Sequence, residues 1–377
     1  MAAEADLLVV GAGHAGGVFA RAVRELGFAG SILVVGEEAH LPYERPALSK
    51  DALRDPDYVH PPILNMAGWA DLKVGFILGH RVLSVDEADR SARLDDGRVI
   101  KWGRLVLATG ASPRRLPGAP HPCRNVIRTL DDVSAIRARL ARADFSSVVI
   151  AGAGPIGLEA AASLRSLATS ITIVEAADHV MGRSAPPEIG DAIAATHREN
   201  GIVLLLGTMI AEIADRGERL DILLSNGERL AADILIEGIG VVPDAPTTTA
   251  PGLACDGGIA VDAGYVTANP LVLAIGDVAC PPGGRQETWA HAESSARAAA
   301  RSVMGLEPEA QPIPSFWSDQ FSRIQVAGDP ARAAAAGRRG EAHLFERDGT
   351  IVAAAAIGAS RDFAAARRLI GKPVSAL

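Results

Sequence analysis

"DLLVVGAGHAG" (residues 6–16) decides how this chain folds. Its first five residues form a short apolar run, the signature of a strand buried on both faces. A glycine turn and an alanine-rich stretch at helical spacing follow. The glycines, Gly11, Gly13 and Gly16, stand at G-x-G-x-x-G spacing. One makes a tight turn, one lets backbone N–H groups approach a pyrophosphate, and one allows helix and strand to pack closely. The phosphate charge then meets the positive end of the helix dipole.

The same grammar recurs at "SSVVIAGAGPIG" (146–157), with Gly152, Gly154 and Gly157. In each copy an acid closes the next apolar run: Glu37 after "SILVVG" and Glu175 after "ITIV". Both fall near the offset of about 20 residues at which a carboxylate reaches an adenosine ribose. Glycines serving only packing would not require that acid.

The repetition extends downstream. "LDDGRVIKWGRLVLATGASP" (94–113) and "LSNGERLAADILIEGIGVVP" (224–243) each carry a turn glycine, Gly97 or Gly227. A short strand comes next, then an apolar strand ending in glycine with a proline three residues on. The expected fold is therefore α/β, with two tandem Rossmann-like dinucleotide-binding domains. A third apolar run, "LVLAIGDVA" (271–279), ends in Gly276-Asp277, and its position suggests that the chain returns to complete the first domain. Two nucleotide sites imply two nucleotides, one held and one exchanging, and a flavin with a nicotinamide fits.

Composition narrows the class. A chain of 377 residues suits two or three domains. Its 48% hydrophobic and 22% charged content is globular. A formal net charge of −8 argues against a nucleic-acid partner. No apolar run approaches the roughly 20 residues of a membrane helix. The opening "MAAEADLLVV" lacks a basic start and runs directly into a strand, so it reads as structure and not as a signal peptide. Cys123, Cys255 and Cys280 are far apart, which fits a reducing cytoplasm with no disulfide framework, metal site or dithiol centre.

Taken together, "GAGHAGG", "PYERPALSK", "LVLATGASP", "RTLDDV", "GAGPIGLE", "GIGVVP", "AIGDVA", "ETWAHA" and "FWSDQ" resemble the FAD-dependent NADH:ferredoxin reductases of bacterial oxygenase systems, the putidaredoxin reductase-like branch of the glutathione-reductase-like flavoproteins. The resemblance covers nearly the whole chain. It implies an FAD domain at 1–113 and 245–308, an NAD domain at 114–244, and a small α+β C-terminal domain at 309–377. "EAHLFERDGTIVAAAAIG" independently reads as a hairpin about Asp348-Gly349. Implied cofactors are FAD and NADH. The implied partner is an iron–sulfur ferredoxin serving a cytochrome P450 or a Rieske-type oxygenase, with monomer and homodimer both open.

Site residues carry over one at a time. Ala15 and Glu37 match FAD adenosine and pyrophosphate contacts, Arg45 shapes the pyrophosphate side, and Val82 matches a backbone adenine contact. Arg128 and Asp277 match contacts to the FAD phosphate and ribityl regions; Thr109, Gly110 and Gly276 belong to the same set. Lys50 is implied beside the flavin near N5, where its ammonium would stabilise the reduced ring, and Trp289 against the flavin. A solvated residue at a helix start is the commonest fate of a lysine, but the place of Lys50 after the rigid "RPALS" segment favours the flavin role. On the nicotinamide side, Gly154 and Ile156 match pyrophosphate contacts, Glu175 the adenosine ribose, Glu159 the nicotinamide, and Arg183 the adenosine end. Gly238 and Gly240 leave room for the ring. Glu159 would also suit an acid in the first turn of a helix. Because "EAADH" offers no arginine cluster for a 2′-phosphate, NADH is favoured over NADPH.

"LPYERPALSK" (41–50) contains no cysteine, whereas disulfide reductases and NADH peroxidases use one in this loop. Electrons are therefore expected to leave from the flavin edge. A rubredoxin reductase and an apoptosis-inducing-factor-like redox-controlled binding protein share the architecture and stay open as alternatives.

Overall fold

In a computed structural model of the protein, residues 3–142, 147–248, 254–255, 257–307, 309–330 and 333–377 are described. The chain forms two compact units. The first comprises Met1–Arg45, His60–Ser112 and Val241–Pro312; the second comprises Pro46–Val59, Pro113–Gly240 and Ile313–Leu377.

In the first unit, strand Ala3–Val10 lies between Ile32–Gly36 and Val99–Leu107, parallel to both. Val74–Leu78 extends the parallel sheet at one side. Leu7, Leu8 and Val9 are fully buried, as an uninterrupted apolar run on a two-sided sheet must be. Each such side chain contributes about 1.5–3 kcal/mol of transfer free energy. Val82–Asp86, Ser91–Leu94 and Val99–Leu107 run antiparallel, the meander that the Gly97 turn anticipates. Val272–Ala274 pairs parallel with Val99–Leu107, placing Val272 opposite Leu105. The chain thus returns to this sheet from the second unit, first with Thr247–Thr248 beside Val82–Asp86 and then with Val272–Ala274.

The second unit repeats the plan. A parallel sheet runs in the order Val203–Leu205, Ser170–Val174, Ser147–Ala151, Ile234–Glu237, Arg124–Asn125. An antiparallel meander, Ile210–Asp215, Leu220–Leu224 and Arg229–Ala232, accompanies it, with the Gly227 turn at φ +87°. The same unit holds a five-stranded antiparallel sheet in the order Ser315–Asp319, Arg323–Gly328, Thr350–Ile357, Ala342–Arg347, Ala334–Arg339. Arg347 pairs with Thr350 across a two-residue turn. Its residues, Asp348 and Gly349, both take positive φ (52° and 74°), as a type I′ hairpin requires. Helix Ser360–Arg367 packs on this sheet through Phe363 and Ala366. The architecture is α/β, with two Rossmann-like domains and a small α+β C-terminal domain. Among the described residues, no helix is long and apolar enough to cross a membrane.

Candidate functional site

Helix His14–Glu25 starts at Gly13, which is in extended conformation (φ −79°, ψ −169°) with no side-chain cap and no acid in the first turn. Three other helices carry side-chain caps, with Asn65 accepting from Gly68 N–H, Thr129 and Asp132 forming a reciprocal capping box and Thr288 accepting from His291 N–H, while Pro187–Glu199 and Ser360–Arg367 start without one but have an acid in the first turn. A helix start left bare, with its N–H groups unopposed, suits an anion. The approach is kept open by missing side chains. A Cβ on Gly11, whose φ is +115°, would collide with Ala108 O, and one on Gly16 would collide with Gly11 O. A Cβ on Gly13 would meet only Arg45 Nη2, at 3.7 Å, so that guanidinium stands beside the turn.

Other expected residues of the first unit gather here. Gly276 (φ +69°) comes within 3.1 Å of the Ala15 methyl group, measured from a Cβ built on it, and its N–H donates to Ser295 Oγ. Asp277 follows it in the short turn Gly276–Val278. Thr109, at the end of strand Val99–Leu107 and next to Gly110 (φ +72°), has a buried hydroxyl without a hydrogen-bond partner. An orphaned hydroxyl beside a bare helix start fits a phosphorylated ligand, and FAD has the pyrophosphate and hydroxyls to meet both.

Glu37 stands apart from this cluster. The backbone register puts Gly36, and not Glu37, at the place Glu175 has in the second unit, since Gly11 N–H donates to Val35 O as Gly152 N–H does to Val174 O. A Cβ at Gly36 would strike Ala12, and the acid comes one residue later. Glu37 is exposed and faces Arg81, whose guanidinium binds both oxygens of Asp244 at 2.7 and 2.9 Å. Val82, next to Arg81, is buried at the start of its strand. Glu38 is the more constrained acid: Tyr43 OH donates to it at 2.5 Å and Arg45 Nη2 at 2.7 Å.

Trp289 begins helix Trp289–Val303 and stacks on His14, with ring centroids 5.2 Å apart and an interplanar angle of 27°. His14 Nε2 lies 3.3 Å from Glu293 Oε1. That imidazole, with Arg297, holds the Glu293 carboxyl below the usual carboxylate range against the opposing effect of burial. His14 stands at a variable position of the first glycine motif and Glu293 just beyond "ETWAHA", so the motifs assign neither a role. The i, i+4 spacing of Trp289 and Glu293, one helical turn apart, was the available signal.

In the second unit, helix Pro155–Leu164 starts at Gly154 (φ −79°, ψ −179°), again uncapped and without an acid in its first turn. A Cβ on Gly152 (φ +101°) would strike Gly238 O, one on Gly157 would strike Gly152 O, and one on Gly154 would meet nothing within 4 Å. Ile156, in the first turn, is exposed at 42%. Glu175 closes the neighbouring strand. It accepts Ala153 N–H at 2.7 Å and Ala177 N–H at 2.8 Å, which fixes it against the glycine turn. These residues have the shape and donor set of a pyrophosphate-and-ribose cradle, and so fit a nicotinamide dinucleotide. Arg183 lies beside Gly240 (φ +99°), with Nη2 3.4 Å from a Cβ built there, and is not among the partners of Glu175. Arg128 N–H donates to Asp132 Oδ2 at 3.0 Å, ahead of helix Leu130–Leu140.

Glu159 does not lie in the first turn of its helix, where a dipole-favoured acid would sit. It is the fifth helical residue and only 3% exposed. Lys50 is not a solvated lysine: its Nζ lies 3.0 Å from Glu159 Oε1 and donates to Pro46 O at 3.0 Å. Ser49 Oγ donates to Glu159 Oε2, and Ser318 Oγ donates to Oε1 at 2.8 Å. Ser163 Oγ donates to Ser49 O at 2.7 Å, and Arg137 donates to the carbonyls of Ala52 and Pro56. The 46–59 segment is thereby fastened to the second glycine-turn helix through Glu159 and Ser163 and to helix Leu130–Leu140 through Arg137. One position before Gly238, the fully buried Glu237 side chain accepts from Arg124 Nε at 2.9 Å and from Leu116 N–H at 2.6 Å.

Cys123 is fully buried, its Sγ donates to Glu218 O at 3.4 Å, and burial pushes its thiol up. Cys280 is partly exposed, and the side chain of Cys255 lies outside the described residues.

Comparison with known proteins agrees with this geometry. The profile for pyridine nucleotide-disulphide oxidoreductases matches residues 5–297, and that for a reductase C-terminal domain matches residues 315–376. The chain is 38% identical to the ferredoxin–NAD(+) reductase component of the p-cumate 2,3-dioxygenase system of Pseudomonas putida, over 97% of this chain and 92% of that protein. It superposes on the ferredoxin reductase for the CYP199A2 system of Rhodopseudomonas palustris with a TM-score of 0.83 and 33% identity, over 94% of this chain and 91% of that one. Against the covalent putidaredoxin reductase–putidaredoxin complex the TM-score is 0.90 at 28% identity, covering 98% and 94%. With two glycine-turn nucleotide cradles in one chain and a profile match across both, the protein belongs to the pyridine nucleotide-disulphide oxidoreductase family.

Proposed function

We propose that this chain is an NADH-dependent flavoprotein reductase that passes electrons through FAD to an iron–sulfur ferredoxin, which in turn serves a cytochrome P450 or Rieske-type oxygenase. The observation that carries the reading is the pair of bare, uncapped glycine turns, at Gly13 and Gly154, in a chain whose 41–50 loop holds no thiol. Relatives named as ferredoxin–NAD(+) reductase components of dioxygenase systems support the same pairing of nicotinamide and ferredoxin.

The chemistry supplied by bound FAD is acceptance of a hydride and release of electrons one at a time. The chain's own groups bind and orient. Gly11, Gly13, Ala15, Gly16 and Gly276 make room for the flavin nucleotide, Arg45 offers charge to its pyrophosphate, and Thr109 Oγ1 offers a hydrogen bond. Glu37, Val82, Gly110, Arg128 and Asp277 complete the proposed flavin contacts. Gly152, Gly154, Ile156 and Gly157 present backbone to the pyrophosphate of NADH, and Glu175 accepts from its adenosine ribose. Gly238 and Gly240 keep space for the nicotinamide, and Glu159 accepts from it. Arg183, beside Gly240, joins this group. Lys50 would offer its ammonium to the reduced flavin and Trp289 a flat wall against it. We further assign residues 1–113 and 245–308 to FAD binding, 114–244 to NAD binding and 309–377 to the C-terminal domain, and place the protein in the cytoplasm.

Purified protein is expected to be yellow and to be bleached by NADH far more readily than by NADPH. Glu175→Ala should narrow that preference, since it removes the ribose acceptor. Equal reduction rates with the two nicotinamides in the unmodified protein would refute the role of Glu175.

A further inference from the structure

Glu159 accepts from two segments distant in sequence. Lys50 Nζ (3.0 Å), Ser318 Oγ (2.8 Å) and Asp319 N–H (3.2 Å) all meet Oε1, while Ser49 Oγ meets Oε2. A carboxylate oxygen has about two lone-pair sites. Oε1 is therefore more than filled, and Oε2 keeps one place open. Both serines are buried, Ser49 at 1% and Ser318 at 0% exposure, so water does not compete for their hydroxyls. Ser49 is itself held by Ser163, through its carbonyl oxygen. Ser318 is held by its strand, where it pairs with Ile324. Two fixed hydroxyls on opposite oxygens of one carboxylate leave it no freedom to rotate.

We propose that Ser318 and Ser49 are positioning residues that set the specificity of the nicotinamide site. By filling Oε1 and locking the rotamer of Glu159, they leave the second lone pair of Oε2 as the one acceptor for an N–H donor of the incoming ring. The donor of that chemistry on a nicotinamide is its carboxamide NH₂. This inference deepens the proposed function and rests on it, because it takes the second glycine turn as the nicotinamide nucleotide site. Serine suits the task for a physical reason: its hydroxyl supplies one short donor of fixed direction, so that alanine at 318 would leave Oε1 to Lys50 and the Asp319 N–H alone, and alanine at 49 would leave Oε2 with no fixed donor.

The test is calorimetric binding to the flavin-loaded protein of three probes: NAD⁺, its 3-acetylpyridine analogue, which lacks the carboxamide N–H, and ADP-ribose, which lacks the ring altogether. Unmodified protein should prefer NAD⁺ to the acetylpyridine analogue by about tenfold or more, the worth of one hydrogen bond to a charged acceptor. Glu159→Gln should abolish that preference. Ser318→Ala and Ser49→Ala should each reduce it by about three- to tenfold, and Ser318→Thr should restore it to within about twofold. ADP-ribose affinity should stay within about twofold throughout, because none of these side chains meets the pyrophosphate or ribose. An unchanged preference in both serine-to-alanine variants overturns the proposal. So does a parallel loss of NAD⁺ and ADP-ribose binding, which is the mark of a merely structural tie. Failure of the unmodified protein to bind ADP-ribose at all overturns the nicotinamide assignment of the second turn, and the inference with it. Should Ser318→Ala fail to fold, Ser49→Ala decides alone.

Discussion

Gly154 and Gly157 stand three residues apart in one turn, and the structure predicts opposite behaviour for them. Gly154 has backbone angles that alanine adopts freely, and a Cβ there would meet nothing within 4 Å. Gly154→Ala should therefore leave the ligand-free protein as stable as before, or raise stability by about 0.4–1 kcal/mol through the unfolded chain. Gly157 also has ordinary backbone angles, but its Cβ would land on Gly152 O and within 3.3 Å of Ile150 Cγ2. Overpacking of that kind costs about 1–3 kcal/mol. Nucleotide affinity should separate from stability. A methyl group at 154 occupies the space into which a pyrophosphate must come to reach the N–H groups of Ile156 and Gly157. Loss of one charged hydrogen bond costs about 1.5–3 kcal/mol, so NAD⁺ affinity should fall roughly 10- to 150-fold in Gly154→Ala. Urea unfolding, read with NAD⁺ titration by calorimetry, measures both quantities. A Gly154→Ala protein that binds NAD⁺ as tightly as the parent would refute the reasoning, because the open space at Gly154 would then have nothing to do with phosphate.

Two further outcomes are expected. Replacing Cys123, Cys255 and Cys280 together by serine should leave NADH-to-ferricyanide turnover largely intact, since Cys123 is fully buried and no thiol stands in the 41–50 loop; loss of flavin reduction in a well-folded triple variant would revive a thiol mechanism. Residues 281–377 carry 12 basic and 10 acidic side chains against 25 and 35 in the rest of the chain, with Arg338, Arg339, Arg361, Arg367 and Arg368 among the described residues and Arg332 outside them. Rising salt, which shortens screening to about 10 Å at 0.1 M, should therefore raise the KM for an acidic ferredoxin while NADH reduction of the flavin changes little; stopped-flow rates insensitive to salt in both half-reactions would mean that docking is apolar.

What was legible in the sequence was local. Each glycine turn couples a short uninterrupted apolar run to a helix within about fifteen residues, and the Asp348-Gly349 hairpin needs only two positive-φ positions between two strands. What was not legible depends on tertiary register. Glu37 lies near the offset of a ribose acid, yet the pairing of Val10 with Val35 puts Gly36 where Glu175 stands in the other unit. The partners of Glu159 are beyond any local pattern: Ser49 is 110 residues before it and Ser318 is 159 after it. A motif placed Glu159 on the correct helix, but its burial follows from a loop and a strand that arrive from elsewhere in the chain.

That burial also answers what a thiol-free loop does in a family named for disulphide chemistry. The loop ends in Ser49-Lys50, a hydroxyl and an ammonium, and both meet one buried carboxylate, the ammonium keeping one of its three N–H donors beyond Glu159 and Pro46 O. Ser163 and Arg137 then hold the loop backbone from the helices of the second unit. A cysteine at position 49 would have put a weak donor where a strong one is needed and left Glu159 Oε2 poorly satisfied, at a cost of the order of 1–3 kcal/mol for a buried acceptor. The geometry is therefore not that of a redox loop which has lost its sulfur. It is a polar anchor, in which the same stretch of chain that would otherwise carry electrons as a thiol fixes the position of an acid.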